Sequence, residues 1–509
     1  MDYELKLPRY PEPPSPAKKC SPKALPVIAS DFSEAISPSP SPEAASHRML
    51  AEASNVLVAA RRLLEASRHI TTIHQDFLLA RQEALQQMFQ LARQTISTSL
   101  DQLLGQANVE RPAMFGLESL KEFASSSVVK CFGSRFQALL GRRIPRIPNG
   151  DLLMISRVIS ITGADLGCLA DTQGSSEVNP IGNRPVSILA EVDAAPDAWY
   201  FQDTPNLEMP YSVLLEIALQ PCGFLSAYLG ALLLFGEQDF YFRNLDGKAE
   251  VLNTLDVRGQ TLTTQARLLS TTVAGEIASG RTLIQKFEFE TSCQGLPLLR
   301  GESVFGFFDQ ATMARQVGLP ALQPASHAGG NAQRVSNHLK EQEEPHPVNP
   351  VAYLPGQPGG RAHRGHLDLL DEIFVASQGG NHGLGRVSAS RMIRPSDWFF
   401  ACHFFEDPVM PGSLGIEAIL QAMQAFALDQ DLGKDFRSPH FSSWVPGAQV
   451  TWKYRGQITP HNTRQMILEA HILQVDRTPD LVTLRADASL WADATRIYEI
   501  KNLAIGIKD

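Results

Sequence analysis

The sequence predicts an α+β protein of two related halves, each a curved antiparallel sheet wrapped on one long central helix, with an α-helical segment ahead of them. Three observations predict it. Two stretches are apolar at helical spacing, one from residue 212 and one from residue 413, and each follows a Met-Pro turn. Each is followed by period-2 alternation, as in residues 286–290 and 449–454, which is the pattern of half-buried strands. The two blocks also repeat each other: MPYSVLLEIALQ at 209–220 is matched 201 positions later by MPGSLGIEAILQ at 410–421. Asp151-Leu152-Leu153 is echoed by Asp368-Leu369-Leu370, and Arg258-Gly259-Gln260 by Arg455-Gly456-Gln457.

In chain order, residues 1–44 are rich in Pro, Ser and Ala and read as a flexible linker, because such a composition buries too little apolar surface to fold. Residues 45–111 carry Leu57, Leu63, Leu64, Ile70, Ile73 and Phe77 at helical spacing. They predict an amphipathic helical segment and a candidate coiled-coil homodimer element. Residues 112–319 form the first half. A connector of Gly, Pro, Gln, Asn and His follows at 320–364, and residues 365–509 form the second half. At 509 residues the chain is too long for one compact core. The helix from residue 212 is apolar enough to raise a membrane-spanning alternative. Glu216, Gln220 and Pro221 interrupt it, so a buried central helix is the better reading.

A formal net charge of −9 argues against nucleic acid or an anionic membrane as partner. The six cysteines lack CxxC pairs or metal-ligand spacing, and His69 and His74 have no third ligand nearby, so no metal site is expected. Reduced cysteines and a start without an apolar leader segment predict a cytoplasmic protein.

The densest chemistry lies at 397–421, DWFFACHFFEDPVMPGSLGIEAILQ. His403 stands just before a proline turn, Pro411-Gly412 starts a helix with Ser413 as its expected N-cap, and Glu417 lies a turn inside. A base near neutrality removes a proton beside a carbonyl, and a carboxyl in apolar surroundings protonates a departing hydroxyl. Free N–H groups at the helix start stabilise the charge that builds on the carbonyl oxygen. Together they suit a β-elimination, the dehydration of a 3-hydroxyacyl thioester.

His403-Phe404, Asp407-Pro408-Val409-Met410-Pro411-Gly412, Leu414-Gly415, Ala418 and Gln421 resemble the signature of the β-hydroxyacyl-ACP dehydratases, in the FabA-like branch of the hot-dog fold. Ser413 and Glu417 depart from it, standing where the isomerising enzymes have cysteine and aspartate; that bears on isomerisation rather than on dehydration. The pairing of a degenerate first half with an active second half resembles the dehydratase region of polyunsaturated fatty acid and polyketide synthases. The resemblance implies a double hot-dog, with each site shared between halves. His403 would then work with Glu216, Gln220 would orient that carboxyl, and the Gly412 N–H would meet the thioester carbonyl. Glu417, with Gln421 on the same helix, would face Gln202, the degenerate counterpart of His403. Pairing of His403 with Glu417 stays open as the alternative.

The resemblance further implies a substrate carried on the phosphopantetheine of an acyl carrier protein, other synthase domains as partners, and an elimination that needs no cofactor or metal. Two competing readings remain: an acyl thioesterase on the same fold, and a non-catalytic acyl-binding or scaffolding segment of a megasynthase.

Overall fold

A computed structural model describes residues 112–172, 185–206, 208–275, 281–322, 345–348, 363 and 365–509. The Pro/Ser-rich start, the helical segment with its dimer expectation, and most of the 320–364 connector lie outside the described residues. Everything described belongs to one unit, Ala107–Asp509.

The first half opens with two short helices, α1 (Leu117–Ser125) and α2 (Val128–Phe132). Strands β1 (Arg157–Thr162) and β2 (Val186–Asp193) follow, then the short α3 (Trp199–Gln202) and the central α4 (Tyr211–Tyr228). Four long strands complete it: β3 (Phe240–Val251), β4 (Thr261–Ala274), β5 (Thr282–Cys293) and β6 (Leu296–Asp309). A one-turn helix, α5 (Gln310–Ala314), ends the half.

After β7 (His346–Val348), the second half repeats the order. It runs β8 (Glu372–Ala376), β9 (Arg386–Met392), α6 (Phe399–Cys402) and central α7 (Gly412–Asp429). Then come β10 (His440–Ser442), β11 (Gln449–Tyr454), β12 (Gln465–Arg477), β13 (Leu481–Ala492) and β14 (Thr495–Lys508).

Sheet order shows the duplication. The path reads β1-β2-β4-β5-β6-β3 and then β11-β14-β13-β12-β9-β8-β7, so each half follows the same path in opposite directions. The halves join edge to edge where β3 pairs antiparallel with β11, from Gln449 opposite Glu250 to Lys453 opposite Asp246. That seam leaves neither of the two joined edges open for stray pairing. Each sheet curls around its helix, giving a double hot-dog. The clean alternation of buried and less buried residues in β2 and β11 sets which side faces in.

Both central helices are apolar around their whole circumference, so they can only sit inside. Of the 18 residues of α4, 16 are buried, and of the 18 of α7, 15. Pro221 lies inside α4 and has no N–H to give the Ile217 carbonyl. Thr264 Oγ1 on β4 donates to that carbonyl instead, at 3.4 Å. The apolar stretch running on to residue 236 is not one helix. It breaks at Gly230, which has φ 94° and whose added Cβ would lie 2.9 Å from the Gly167 backbone. No helix among the described residues is long and apolar enough to cross a membrane.

A second clasp joins the halves near the start of the second. The His366 ring lies between Asp203 (Nδ1 to Oδ2, 2.9 Å) and Asp151 (Nε2 to Oδ2, 3.1 Å) and stacks on Trp199 at 4.6 Å.

Candidate active site

His403 is placed by the proline turn. Phe404 and Asp407 exchange backbone hydrogen bonds of 3.0 and 3.1 Å, which folds the turn tight, and Val409 N–H donates to the His403 carbonyl at 2.7 Å. The His403 Nδ1 lies 3.0 Å from the Val409 carbonyl oxygen. A carbonyl can only accept, so Nδ1 carries the proton and Nε2 keeps its lone pair. Burial holds the imidazole below the ordinary histidine range, against the opposing pull of the Glu216 charge. The ring is therefore neutral, in the form a base requires.

Asp407, in the same turn, meets Arg243 from β3 of the other half in a two-pronged ion pair of 2.7 and 2.8 Å. Both side chains are about nine-tenths buried. Arg243 also donates to Gln457 Oε1 at 2.5 Å and to the Phe242 carbonyl at 2.8 Å. The histidine turn is thus clamped across the seam by a guanidinium with partners on three sides.

Glu216 comes from α4 of the first half and is 8% exposed. Its Oε1 accepts from the Ser413 hydroxyl at 2.6 Å and its Oε2 from Gln220 Nε2 at 3.0 Å. Gln220 is itself fixed: Met154 N–H donates to its Oε1 at 2.8 Å, and its Nε2 donates to the Leu152 carbonyl at 2.8 Å. The expected N-cap role of Ser413 is corrected here. Pro411 is the N-cap, without a side-chain cap, and the Ser413 hydroxyl reaches across to the other half's carboxylate instead.

His403, Glu216, Gln220, Gly412 and Ser413 line one cavity with about 810 Å³ of empty space, part of it open to solvent. Leu215, Leu219, Gly223, Phe242 and Phe305 supply apolar wall suited to an acyl chain. Gly412 is required by close approach: a Cβ there would lie 2.6 Å from the Tyr454 ring.

Glu417 and Gln421 do not line this cavity. Glu417 is wholly buried, and neither of its oxygens makes a hydrogen bond of normal geometry among the described residues, although Ser212 is close enough to favour the charged form. Burial dominates and pushes its pKa up to about 7. Gln421 donates to the Leu367 carbonyl at 2.9 Å, repeating the Gln220–Leu152 bond, so Leu152 has its counterpart in Leu367 and not in Leu369 as the Asp-Leu-Leu echo suggested. The physical reason is the duplication. Ser212 and Glu417 stand where the working side has Ser413 and Glu216, but the first half has no histidine in its turn. The expected match of Gln202 to His403 is corrected: the Trp199 and Trp398 indoles make equivalent bonds to the Asp151 and His366 carbonyls, which sets Gln202 against Ala401, and its exposed amide donates to the Asp197 carbonyl at 2.6 Å. Tyr211 fills the place of Gly412 with a fully packed ring.

Sequence reasoning missed Arg243 and Tyr454. Arg243 carries no motif and is 164 positions from its partner. Tyr454 directly precedes the repeated Arg-Gly-Gln triplet, which the sequence offered as an echo between the halves but not as a cavity wall.

An imidazole from one half and a carboxylate from the other thus face one apolar chamber between the two hot-dog units. Residues 362–501 match the FabA-like domain. Over 398 residues the chain is 31% identical to a polyunsaturated fatty acid synthase polypeptide of Thraustochytrium sp. (strain ATCC 26185 / S-3), covering 76% of this chain and 26% of that relative. The chain thus spans about a quarter of the length of the relative it matches. Among solved structures it is similar to a bifunctional dehydratase-cyclase domain in ambruticin biosynthesis, at 11% identity and TM-score 0.34, covering 70% and 96% of the two chains. An acyl-ACP thioesterase from Bacteroides thetaiotaomicron VPI-5482 aligns at 12% identity and TM-score 0.31, covering 62% and 97%.

Proposed function

We propose that this chain dehydrates 3-hydroxyacyl thioesters to 2-enoyl thioesters, as a hydro-lyase working in the cytoplasm beside other synthase domains. The substrate arrives on the phosphopantetheine arm of an acyl carrier protein. The observation that carries this reading is one cavity in which the lone pair of a neutral imidazole and a hydrogen-bonded carboxyl come from opposite halves.

His403 Nε2 takes the α-proton, and the C–H electron pair moves toward the thioester oxygen. The Gly412 N–H at the start of α7 receives that developing charge. The enolate electrons then form the double bond as the β C–O bond breaks, and the Glu216 carboxyl gives the departing hydroxyl a proton, releasing water. Ser413 and Gln220 hold the carboxyl in register.

A 3-hydroxyacyl N-acetylcysteamine thioester tests the reading. Enoyl product supports it, free acid indicates a thioesterase, and no change indicates a binding segment. His403→Ala is expected to abolish enoyl formation with the fold retained, since the first half builds the same turn without a histidine.

A further inference from the structure

Tyr454 contributes a hydroxyl that the mechanism above does not use. It ends β11 in the seam and lines the same cavity as His403, Glu216 and Gly412. The residue is only 7% exposed, and its Oη has no hydrogen-bond partner among the described residues. A buried hydroxyl without a partner is a net cost to folding, so a position that keeps one points to a partner that arrives later.

Its place says which partner. A Cβ built on Gly412 would lie 2.6 Å from Tyr454 Cε2 and 3.2 Å from its Oη. The hydroxyl therefore sits over the first residue of α7, beside the N–H groups that the helix leaves free. The Tyr498 ring packs against it at 4.3 Å between centroids and fixes its plane. Glu216 is held by Ser413 and Gln220 and makes no bond to the Tyr454 hydroxyl. What remains for a donor at the helix start is an oxygen of the substrate.

Resting on the dehydratase reading, we propose that Tyr454 is a catalytic residue whose hydroxyl donates a hydrogen bond to the thioester oxygen as the enolate forms, completing an oxyanion hole with the Gly412 N–H. No proton is transferred to the substrate by Tyr454. The proton removed stays on His403, and the tyrosine only stabilises the oxygen's charge.

The test is Tyr454→Phe in the full chain, assayed with a 3-hydroxyacyl N-acetylcysteamine thioester. Loss of one oxyanion donor costs on the order of 10²-fold in kcat. The expected result is a fall of that size with KM nearly unchanged and a melting temperature equal to or above the parent's, because a hydroxyl without a partner has been removed. Tyr211→Phe is the matched control: Tyr211 Oη is equally buried and without a partner but stands at the other helix start, outside the cavity. It is expected to leave kcat unchanged. An unchanged kcat in Tyr454→Phe, or an equal loss in Tyr211→Phe, overturns the assignment. Parent activity that disappears in His403→Ala would uphold the dehydratase reading even then, whereas an inert parent chain overturns both.

Discussion

His403 and Glu417 show how burial sets opposite titrations in one interior. For His403, desolvation disfavours the imidazolium, Arg243 adds to that, and Glu216 and Asp407 oppose it. A base acts only when neutral, so the acid limb of kcat/KM against pH is expected below the ordinary histidine value of about 6.5. A limb well above that value would contradict the placement. For Glu417 the folded-state pKa is raised to about 7. The folded state then binds a proton that the unfolded state releases, so its contribution to stability falls as pH rises from about 4.3 and levels off above 7. Glu417→Gln removes that loss. It is expected to melt higher than the parent at pH 8, with the gap narrowing toward pH 5, as thermal melts across pH would show. A gap independent of pH would mean that Glu417 is not an isolated buried acid.

At the scale of elements, what fixes the site is a proline turn clamped to a strand of the other half. The Asp407–Arg243 pair holds the loop that presents His403, and Arg243 has further partners in Gln457 and the Phe242 carbonyl. Breaking one side of a buried ion pair leaves an uncompensated charge and costs roughly 3–5 kcal/mol. Asp407→Asn is therefore expected to lower stability by that order and to reduce kcat, read by denaturant melts and steady-state assay. A variant that melts like the parent would show the pair to be incidental. The Tyr211/Gly412 difference works at the same scale. One helix start lies open to a cavity because its first residue has no side chain, and the other is filled by a ring.

For the whole molecule, the duplication was legible because it is written in the residues themselves. The Met-Pro turns and the helices that follow align at one offset, and in the structure both central helices have 18 residues. His403 and Gly412 were legible for the same reason, standing in a dense local motif. The Glu216–Ser413 bond and the Arg243 clamp were not. They join residues 197 and 164 positions apart, and only the docking of one half on the other brings them together. Ser413 was misread as a cap because a serine at a helix start usually bonds its own backbone, and nothing local reveals a carboxylate arriving from the other half.

The central claim is that the working acid crosses that seam. The most direct measurement is kcat/KM for Glu216→Gln beside Glu417→Gln on the same 3-hydroxyacyl thioester. A loss of roughly 10²–10⁴-fold for Glu216→Gln with near-parent activity for Glu417→Gln is the predicted result. The reverse ranking would contradict it.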